Sequence, residues 1–345
     1  MNRPSEKTTA KLTASDVAVV VPVGGAGHGW RRCAHALATM DPNPGQLIVA
    51  VDGPSDALEA VARDTGGTVI VLDQRGGPAR ARNRAVEAVH TEIVAFVDAD
   101  VVVPPDFAAR VAELFADHAT AAVIGSYDDH PGDPGFLSQY RNLLHHHVHQ
   151  QAQEAASTFW SGCGALRRTA FDEVGGFDED FGDPSVEDIE FGGRLLRAGH
   201  PIRLAKELQV KHLKRWRLGD MLATDLFRRA IPWTEIMLAH GGLINDLNVK
   251  TRDRVSVAAA FLAPVFLVAS LVQPPLAAVA AAALLTILLL NRSFFSLLAR
   301  RRSFGFAIAA IPAYWVYLVI CGLGYVIGFT SHLLQHRRDN RGNPN

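Results

Sequence analysis

The sequence predicts an α/β fold, with a doubly wound, mostly parallel sheet followed by C-terminal transmembrane helices. Short apolar runs alternate with helical segments up to about residue 130, which is typical of such a sheet. Two carboxylates, Asp98 and Asp100, directly follow the central apolar run at 93–97. Between Arg254 and Asp339 the chain has no acidic residue, which indicates a part embedded in a membrane.

The first half of the chain contains the elements of the parallel sheet. Runs rich in β-branched residues are predicted to be strands at 17–21, 46–51, 68–72 and 93–97. The helices predicted between them lie at 30–40, 56–64 and 79–89. Parallel strands joined through helices have right-handed connections. The loop Gly24-Gly-Ala-Gly27 allows close approach of a ligand to the backbone, but it lacks the Gly-x-Gly-x-x-Gly of dinucleotide-binding folds.

The pattern changes after about Pro131. The elements predicted there are a helix at 137–156, a glycine-rich strand or loop at 158–165, a turn at 172–179, a helix at 185–198 and a strand at 202–210. The first of these helices carries a histidine cluster between His145 and His149. No acidic residue completes a metalloprotease motif there, so we interpret the cluster as a solvated or membrane-facing helix surface.

Composition excludes several classes of protein. The net charge of −1 argues against a general nucleic-acid binder, which needs a basic excess. Cys33, Cys163 and Cys321 form neither a disulfide framework nor a zinc pattern, which favours a reducing compartment. The polar start of the chain, 1–11, has no apolar core of the signal-peptide type. We therefore expect the first domain to stay in the cytosol.

The aspartate pair is the first candidate for chemistry. Because side chains alternate along a strand, Asp98 and Asp100 point the same way if the extended conformation continues past Val97. They can then share one cation, and hard oxygen ligands beside a diphosphate suit Mg²⁺ or Mn²⁺. For an isolated Asp-x-Asp, the alternative is a polar turn that ends a strand.

Several runs, taken in their order and spacing, resemble the motifs of family 2 glycosyltransferases, which have the GT-A fold. The resemblance covers roughly residues 17–216. The runs are Val19-Val-Val-Pro22, Asp52-Gly-Pro-Ser55, Gly77-Pro-Ala-Arg80-Ala-Arg82-Asn83, Asp98-Ala-Asp100, Gly162-Cys-Gly-Ala-Leu-Arg-Arg168, Val174-Gly-Gly-Phe-Asp178 and Glu187-Asp188.

The resemblance implies metal-dependent, inverting transfer of a sugar from a UDP- or GDP-sugar to an acceptor hydroxyl, with Mg²⁺ or Mn²⁺ as cofactor. Helix-initial Arg82 and Asn83 follow a glycine loop, where N–H groups favour phosphate. The alternative for His212 is a structural histidine near a strand end, with its ring nitrogens hydrogen-bonded within the protein. The implied metal ligands are Asp100, Asp98 and His212, and the implied donor-binding residues are Pro22, Asp52, Arg80, Arg82, Asn83 and Asp98.

The resemblance also implies that Asp188 is the catalytic base. Ser185-Val-Glu-Asp188 equally fits a helix capping box, with the acid three residues after its cap. A helix N-terminus holds a carboxylate ionised, so the two roles are compatible. Trp160 either stacks on a sugar or belongs to the core. We assign to the acceptor side Trp160, Gly162, Glu187, Arg229 and Trp233.

The C-terminal part predicts membrane helices at about 255–272, 276–291 and 304–331. Basic residues flank the first two, which indicates a hairpin with both ends in the cytosol. The third is either one tilted span or a broken hairpin. The Arg- and Trp-containing segment 217–250 suits the headgroup level, which favours a lipid-linked or membrane-presented acceptor in envelope glycan or glycolipid synthesis. The expected location is the cell membrane, multi-pass, with a cytoplasmic catalytic domain.

The predicted boundaries are a disordered lead-in (1–15), a catalytic domain (16–216, divided after 130), an interfacial segment (217–250), transmembrane helices (251–335) and a basic tail (336–345). Two other functions stay open. A sugar nucleotidyltransferase shares the sheet and carboxylate-bound Mg²⁺, but it usually has a basic glycine-rich signature after its first strand. The second is a non-catalytic membrane scaffold. The presence of Asp98, Asp100 and Asp188 argues against it.

Overall fold

The structure is a computed structural model that describes residues 11–342, apart from residues 26, 28, 183, 240–246 and 248. Residues 1–10 of the predicted lead-in and the last three residues of the basic tail therefore lie outside the described residues.

One mixed sheet organises the catalytic domain, in the order β3-β2-β1-β4-β8-β6-β9-β5, with β7 also paired to β9. The pairs β3–β2, β2–β1, β1–β4 and β6–β9 are parallel, which confirms the predicted fold class. Strand β8 enters antiparallel between β4 and β6. The strands are β1 (Val17–Val23), β2 (Gln46–Val51), β3 (Thr68–Val71), β4 (Ile93–Val97), β5 (Val101–Val102), β6 (Ala122–Tyr127), β7 (Ala155–Ala156), β8 (Cys163–Arg167) and β9 (Ile202–His212).

Helices cover both faces of this sheet. Alternate residues of β1 enter two different cores: Val19 belongs to the core that contains Phe107, and Val20 to the core that contains Phe191. Burial on both faces explains why the strand is apolar throughout rather than alternating. The helices are α1 (Trp30–Ala38), α2 (Asp56–Arg63), α3 (Gly77–Glu87), α4 (Phe107–Leu114), α5 (Phe136–Gln151), α6 (Arg168–Val174) and α7 (Glu187–Arg197).

The C-terminal part is helical and packs against α5. Tyr140 and Leu144 of α5 share a buried core with Phe294 and Tyr314. The elements are α8 (Leu218–Ala223), a π-helical segment (Thr224–Ala230), α9 (Ile231–Ala239), α10 (Thr251–Ala269), α11 (Leu276–Leu290), α12 (Arg292–Arg301) and α13 (Phe304–Gly342).

Among the described residues, one helix is long and apolar enough to cross a membrane, the Phe304–Leu334 part of α13. It runs as one helix past Pro312, so of the two alternatives left open by the sequence, the single span is found and the broken hairpin is not. Helices α11 and α12 pass the same test only as a pair bent by 62°. Alone, α11 is about 22 Å long, less than the roughly 30 Å of a hydrocarbon core. The predicted multi-pass arrangement is therefore not supported.

Candidate active site

A cleft of about 790 Å³ opens where the parallel strands β1 and β4 end, the usual ligand position in such sheets. Most of the residues predicted from the sequence meet there. Those that line it are Pro22, Asp52, Arg82, Asp98, Asp100, Trp160, Glu187, Asp188, His212, Arg229 and Trp233, whereas Arg80, Asn83 and Gly162 do not.

The two aspartates have different partners. Asp98 follows the last residue of β4, and its Oδ1 accepts a hydrogen bond from Arg82 at 2.8 Å. The Oδ2 atom of Asp100 lies 3.5 Å from His212 Nε2. Burial raises the pKa of Asp98 above its ordinary value despite the Arg82 charge. Burial acts the same way on Asp100, but the neighbouring His212 and Lys214 together with a backbone hydrogen bond outweigh it, and the pKa falls below its ordinary value.

His212, at the end of β9, is held on two sides. Its Nδ1 lies 2.6 Å from Asn142 Oδ1, and its ring stacks on Tyr127 with centroids 4.1 Å apart. Because an amide oxygen only accepts, Nδ1 carries the hydrogen of this contact, and Nε2 is the ring nitrogen that faces Asp100. No sequence pattern pointed to Asn142 or Tyr127.

This arrangement fits a divalent cation at Asp100 and His212. A ligating histidine commonly donates its other ring N–H to an oxygen acceptor, as His212 does to Asn142. Within the described part of the chain, no three His, Cys, Asp or Glu side chains converge to complete a site by themselves. Mg²⁺ typically uses one or two protein ligands together with substrate phosphates, so a partial protein set is sufficient.

Arg82 lies beneath the cleft rather than in the open. One guanidinium nitrogen donates to Asp98 and another to Glu187 Oε1 at 3.0 Å, and the side chain is 3% exposed. The group also lies over the Phe177 ring, 5.4 Å from its centroid. Its charge is thus neutralised by two carboxylates, so the expected contact with a donor phosphate is not favoured.

Asp188, on the first turn of α7, faces the cleft. Its Oδ2 accepts hydrogen bonds from the Ser161 N–H at 3.2 Å and the Ser161 hydroxyl at 3.4 Å. Burial, reinforced by the neighbouring Glu187 charge, raises the pKa of Asp188 to about 7. A carboxyl group with that pKa can exchange a proton near neutral pH. Ser161 precedes the predicted Gly162 run, but nothing in the pattern marked it.

The capping box, which the sequence left open as an alternative, is not formed. Helix α7 begins at Glu187 with Val186 as its N-cap, and no side chain caps it. Instead, Glu187 Oε2 accepts the Ser185 N–H at 2.9 Å, while the Ser185 hydroxyl donates to Arg228 O. Because both Glu187 oxygens are used, this residue supports the loop before α7.

Three residues predicted to bind the donor act mainly on the structure around α3. Asp52 accepts the N–H groups of Gly76 and Gly77 at 2.8 and 3.0 Å, which holds the start of the helix. Asn83 donates to Phe177 O and accepts the Phe177 N–H, fixing the turn after α6. Arg80 pairs with Asp73 outside the cleft.

On the acceptor side, Trp160 forms part of the wall. A Cβ on Gly162 would come within 2.8 Å of the Trp160 indole, so only glycine leaves room for this ring. Trp160 also contacts Tyr127 edge to face, with centroids 4.7 Å apart. The indole thus lies in the cleft wall and also packs against the core. Its position is compatible with both alternatives left open by the sequence.

Positive charge also lines the rim of the cleft. Lys214, Arg228 and Arg229 border the cleft, and in the described residues none of them pairs with a carboxylate. The Lys214 ammonium lies over the Trp216 ring at 4.3 Å. These cations suit an anionic group in the cleft.

The interpretation of the histidine cluster as a solvated surface is wrong. His146 and His149 are buried, and His146 Nδ1 lies 2.7 Å from Tyr127 O. His145 contacts Trp160 in the cleft wall, and burial holds its pKa well below the ordinary value. The helix is enclosed between the sheet and the C-terminal helices, which a one-dimensional pattern could not show.

Comparisons with known proteins find similar sequences and folds. The sequence model of "Glycosyl transferase family 2" matches residues 18–175. The pre-mycofactocin glycosyltransferase of Mycobacterium tuberculosis (strain ATCC 25618 / H37Rv) is 29% identical over 251 residues, which cover 70% of this chain and 49% of that protein. The validoxylamine A glucosyltransferase of Streptomyces hygroscopicus subsp. limoneus is 26% identical over 205 residues, which cover 50% and 45%. The chain spans about half the length of the curated relatives it matches.

Among solved structures, the mannosyltransferase PcManGT from Pyrobaculum calidifontis, in complex with GDP-Man and Mn2+, is similar with a TM-score of 0.49 and 16% identity. The similarity covers 90% of this chain and 87% of that one.

Proposed function

The chain belongs to glycosyl transferase family 2 through residues 18–175, and we propose that it transfers a sugar from a nucleotide-sugar donor to an acceptor hydroxyl. One observation carries the proposal. Asp188, with a pKa raised to about 7 by burial and Glu187, faces the same cleft as the Asp100–His212 pair. A base and a site for a divalent cation that neutralises the leaving diphosphate, both in one cleft, are what this reaction needs.

Asp188 is the proposed base. The acceptor O–H gives its proton to the Asp188 carboxylate, and the acceptor oxygen forms a bond to the anomeric carbon. The bond from that carbon to the diphosphate breaks, and the nucleoside diphosphate leaves with the electron pair. One displacement of this kind inverts the anomeric centre. Ser161 holds Oδ2, which leaves Oδ1 to receive the proton.

Asp100 and His212 are the proposed ligands of Mg²⁺ or Mn²⁺, with Asp98 directed to the donor ribose. When bound, the ion would neutralise charge on the diphosphate. Asn142 fixes the His212 ring for this role, and Lys214 adds positive charge on the same rim. Pro22 and Asp52 border the donor side of the cleft.

The proposed acceptor is lipid-linked or presented at a membrane, in cell-envelope glycan or glycolipid synthesis. Support comes from exposed apolar side chains on the C-terminal helices, which would face water in the absence of a bilayer. Leu271 and Val272, after α10, are each 85% exposed, and Val268 is 67% exposed. We propose one span by α13, with the α10–α11 hairpin inserted from the same side and the catalytic domain cytoplasmic.

The test is release of nucleotide by the detergent-purified protein across a panel of UDP- and GDP-sugars, with and without Mn²⁺. The proposal expects turnover of at least one donor that stops when EDTA removes the metal. Release of pyrophosphate from a nucleoside triphosphate and a sugar phosphate would favour the nucleotidyltransferase instead. No donor binding and no turnover across the panel would contradict the proposal and favour a scaffold.

A further inference from the structure

A second cavity, of about 530 Å³, lies among α9, α10, α12 and α13, and it adjoins the cleft. Its size is within the range of about 300–1,000 Å³ found for small-molecule sites. The side chains that line both spaces are Leu144, Val148, Trp233, Leu247 and Tyr317. The cleft and the cavity therefore share one wall.

Most of the cavity wall is apolar, and its charged residues, Arg252, Asp253 and Arg254, lie together in the first turn of α10. Phe261, Leu318 and Met237 contribute side chains to it. The polar groups at its edge bind one another: the Tyr314 hydroxyl donates to Asn291 Oδ1 at 2.7 Å, and Asn291 Nδ2 donates to Ser256 Oγ at 3.0 Å. Paired in this way, they do not call for a polar ligand.

The remaining titratable group at the α5 side of the wall is uncharged at neutral pH. Burial, followed by the charge of Arg252, lowers the pKa of His147 to about 4. Its Nε2 lies 3.4 Å from Ser293 Oγ. His147 therefore adds no charge to this part of the wall.

The cavity also reaches the apolar exterior of the helices. Leu323 and Val326 of α13 line it, and they are 43% and 61% exposed. Ala258 of α10 lines it as well and is exposed. The hydrocarbon chain of a membrane lipid can thus enter sideways between α10 and α13, while the polar head of the lipid lies in the cleft beside Arg229 and Asp188.

We propose that this cavity binds the hydrocarbon chain of the sugar acceptor, an amphipathic lipid whose hydroxyl group lies at Asp188. The inference rests on the proposed function, because it gives the acceptor of that reaction its binding site. The observations that carry it are the shared lining residues and the change from a charged lining in the cleft to a mostly apolar lining in the cavity.

Photolabelling tests the occupant. The full chain in phosphatidylcholine vesicles is irradiated with a diazirine-bearing palmitic acid, and labelled residues are mapped by mass spectrometry. We expect adducts on Leu318 and Met237, which are 1% and 6% exposed and reachable through the cavity, besides adducts on exposed Leu271. Adducts confined to outward-facing residues such as Leu271 would overturn the proposal.

Ala258→Trp places a large side chain in the cavity. It should lower the labelling of Leu318 and Met237 at least tenfold and leave the labelling of Leu271 unchanged. Ala278→Trp is the matched control, since Ala278 is exposed on α11 and does not line the cavity, and it should change neither set. Equal inner labelling in both variants would overturn the proposal.

A second readout separates this inference from the proposed function. Hydrolysis of the donor by water reports the transferase chemistry without any acceptor chain. With lipid extracted from native-host membranes, the wild type should move labelled sugar into chloroform-soluble product, and Ala258→Trp should lower that at least tenfold while donor hydrolysis is unchanged. Donor hydrolysis without lipid product would overturn the inference alone, whereas absence of both reactions would overturn the proposed function as well.

Discussion

Arg82 donates a hydrogen bond to Glu187 Oε1 at 3.0 Å, although the two residues are 105 positions apart in the chain. The same guanidinium donates to Asp98. One buried cation therefore joins the end of β4 to the first residue of α7. Because Asp188 follows Glu187, this bridge sets the distance between the donor and acceptor sides of the cleft.

Removing that cation should destabilise the fold. We expect Arg82→Met to lower the free energy of unfolding by on the order of 3–5 kcal/mol, because it leaves two carboxylates unpaired beneath the cleft. The measurement is chemical denaturation in detergent. Arg84→Met on the same helix is the control, since Arg84 pairs with Glu87 at the surface and its loss should cost about 0–1 kcal/mol. Equal effects of the two changes would contradict the bridge.

The rate should rise as the pH increases through about 7. The pKa of Asp188 is raised to about 7, so its carboxyl group is protonated below that pH and cannot accept the acceptor proton. Glu187→Gln should move this rising limb of the pH–rate profile to lower pH, because the Glu187 charge raises the pKa of Asp188. Glu190→Gln, on the same helix but paired with Arg194, should leave the limb in place. A limb unmoved by Glu187→Gln would count against Asp188 as the titrating group.

Asn142 should control metal affinity without touching the ion. Asn142→Leu removes the acceptor of the His212 Nδ1 hydrogen, and we expect Mn²⁺ to bind about 10–100-fold more weakly. Mn²⁺ titration followed by electron paramagnetic resonance measures this directly. Asn142→Asp keeps an oxygen acceptor and should restore most of the affinity. Unchanged affinity in the leucine variant would remove His212 from the proposed ligands.

Gly162 should affect the acceptor more than the donor. A Cβ there would press on the Trp160 indole, so Gly162→Ala should raise the KM for the acceptor several-fold and leave donor hydrolysis near the wild-type rate. Gly219→Ala is the control, because its Cβ would meet nothing within 4 Å. If the two variants have the same KM for the acceptor, Trp160 does not shape the acceptor side.

The parallel half of the sheet could be predicted because its signals are local. Burial on both faces requires apolar runs such as Val17–Val23, and Asp98 follows β4 immediately. The order of motifs also brought Asp100, Asp188 and His212 into one cleft. Strand β8 was ambiguous, because its antiparallel place between β4 and β6 depends on pairings distant in sequence.

The supporting contacts could not be predicted in the same way. Ser161 holds Asp188, and Asn142 holds His212, across separations of 27 and 70 residues. The absence of the capping box has a related reason. Glu187 is paired with the distant Arg82, helix α7 begins at Glu187, and Ser185 does not cap the helix. Apolar composition likewise predicted spans, but the lengths of the helices depend on where the chain bends, as between α11 and α12.

The most direct test of the central claim compares Asp188→Asn with the wild type, measuring donor binding by calorimetry and sugar transfer in the same preparation. The claim that Asp188 takes the acceptor proton predicts an unchanged donor Kd and a kcat lowered roughly 10²–10⁴-fold. A variant that binds the donor and transfers sugar at the wild-type rate would contradict it.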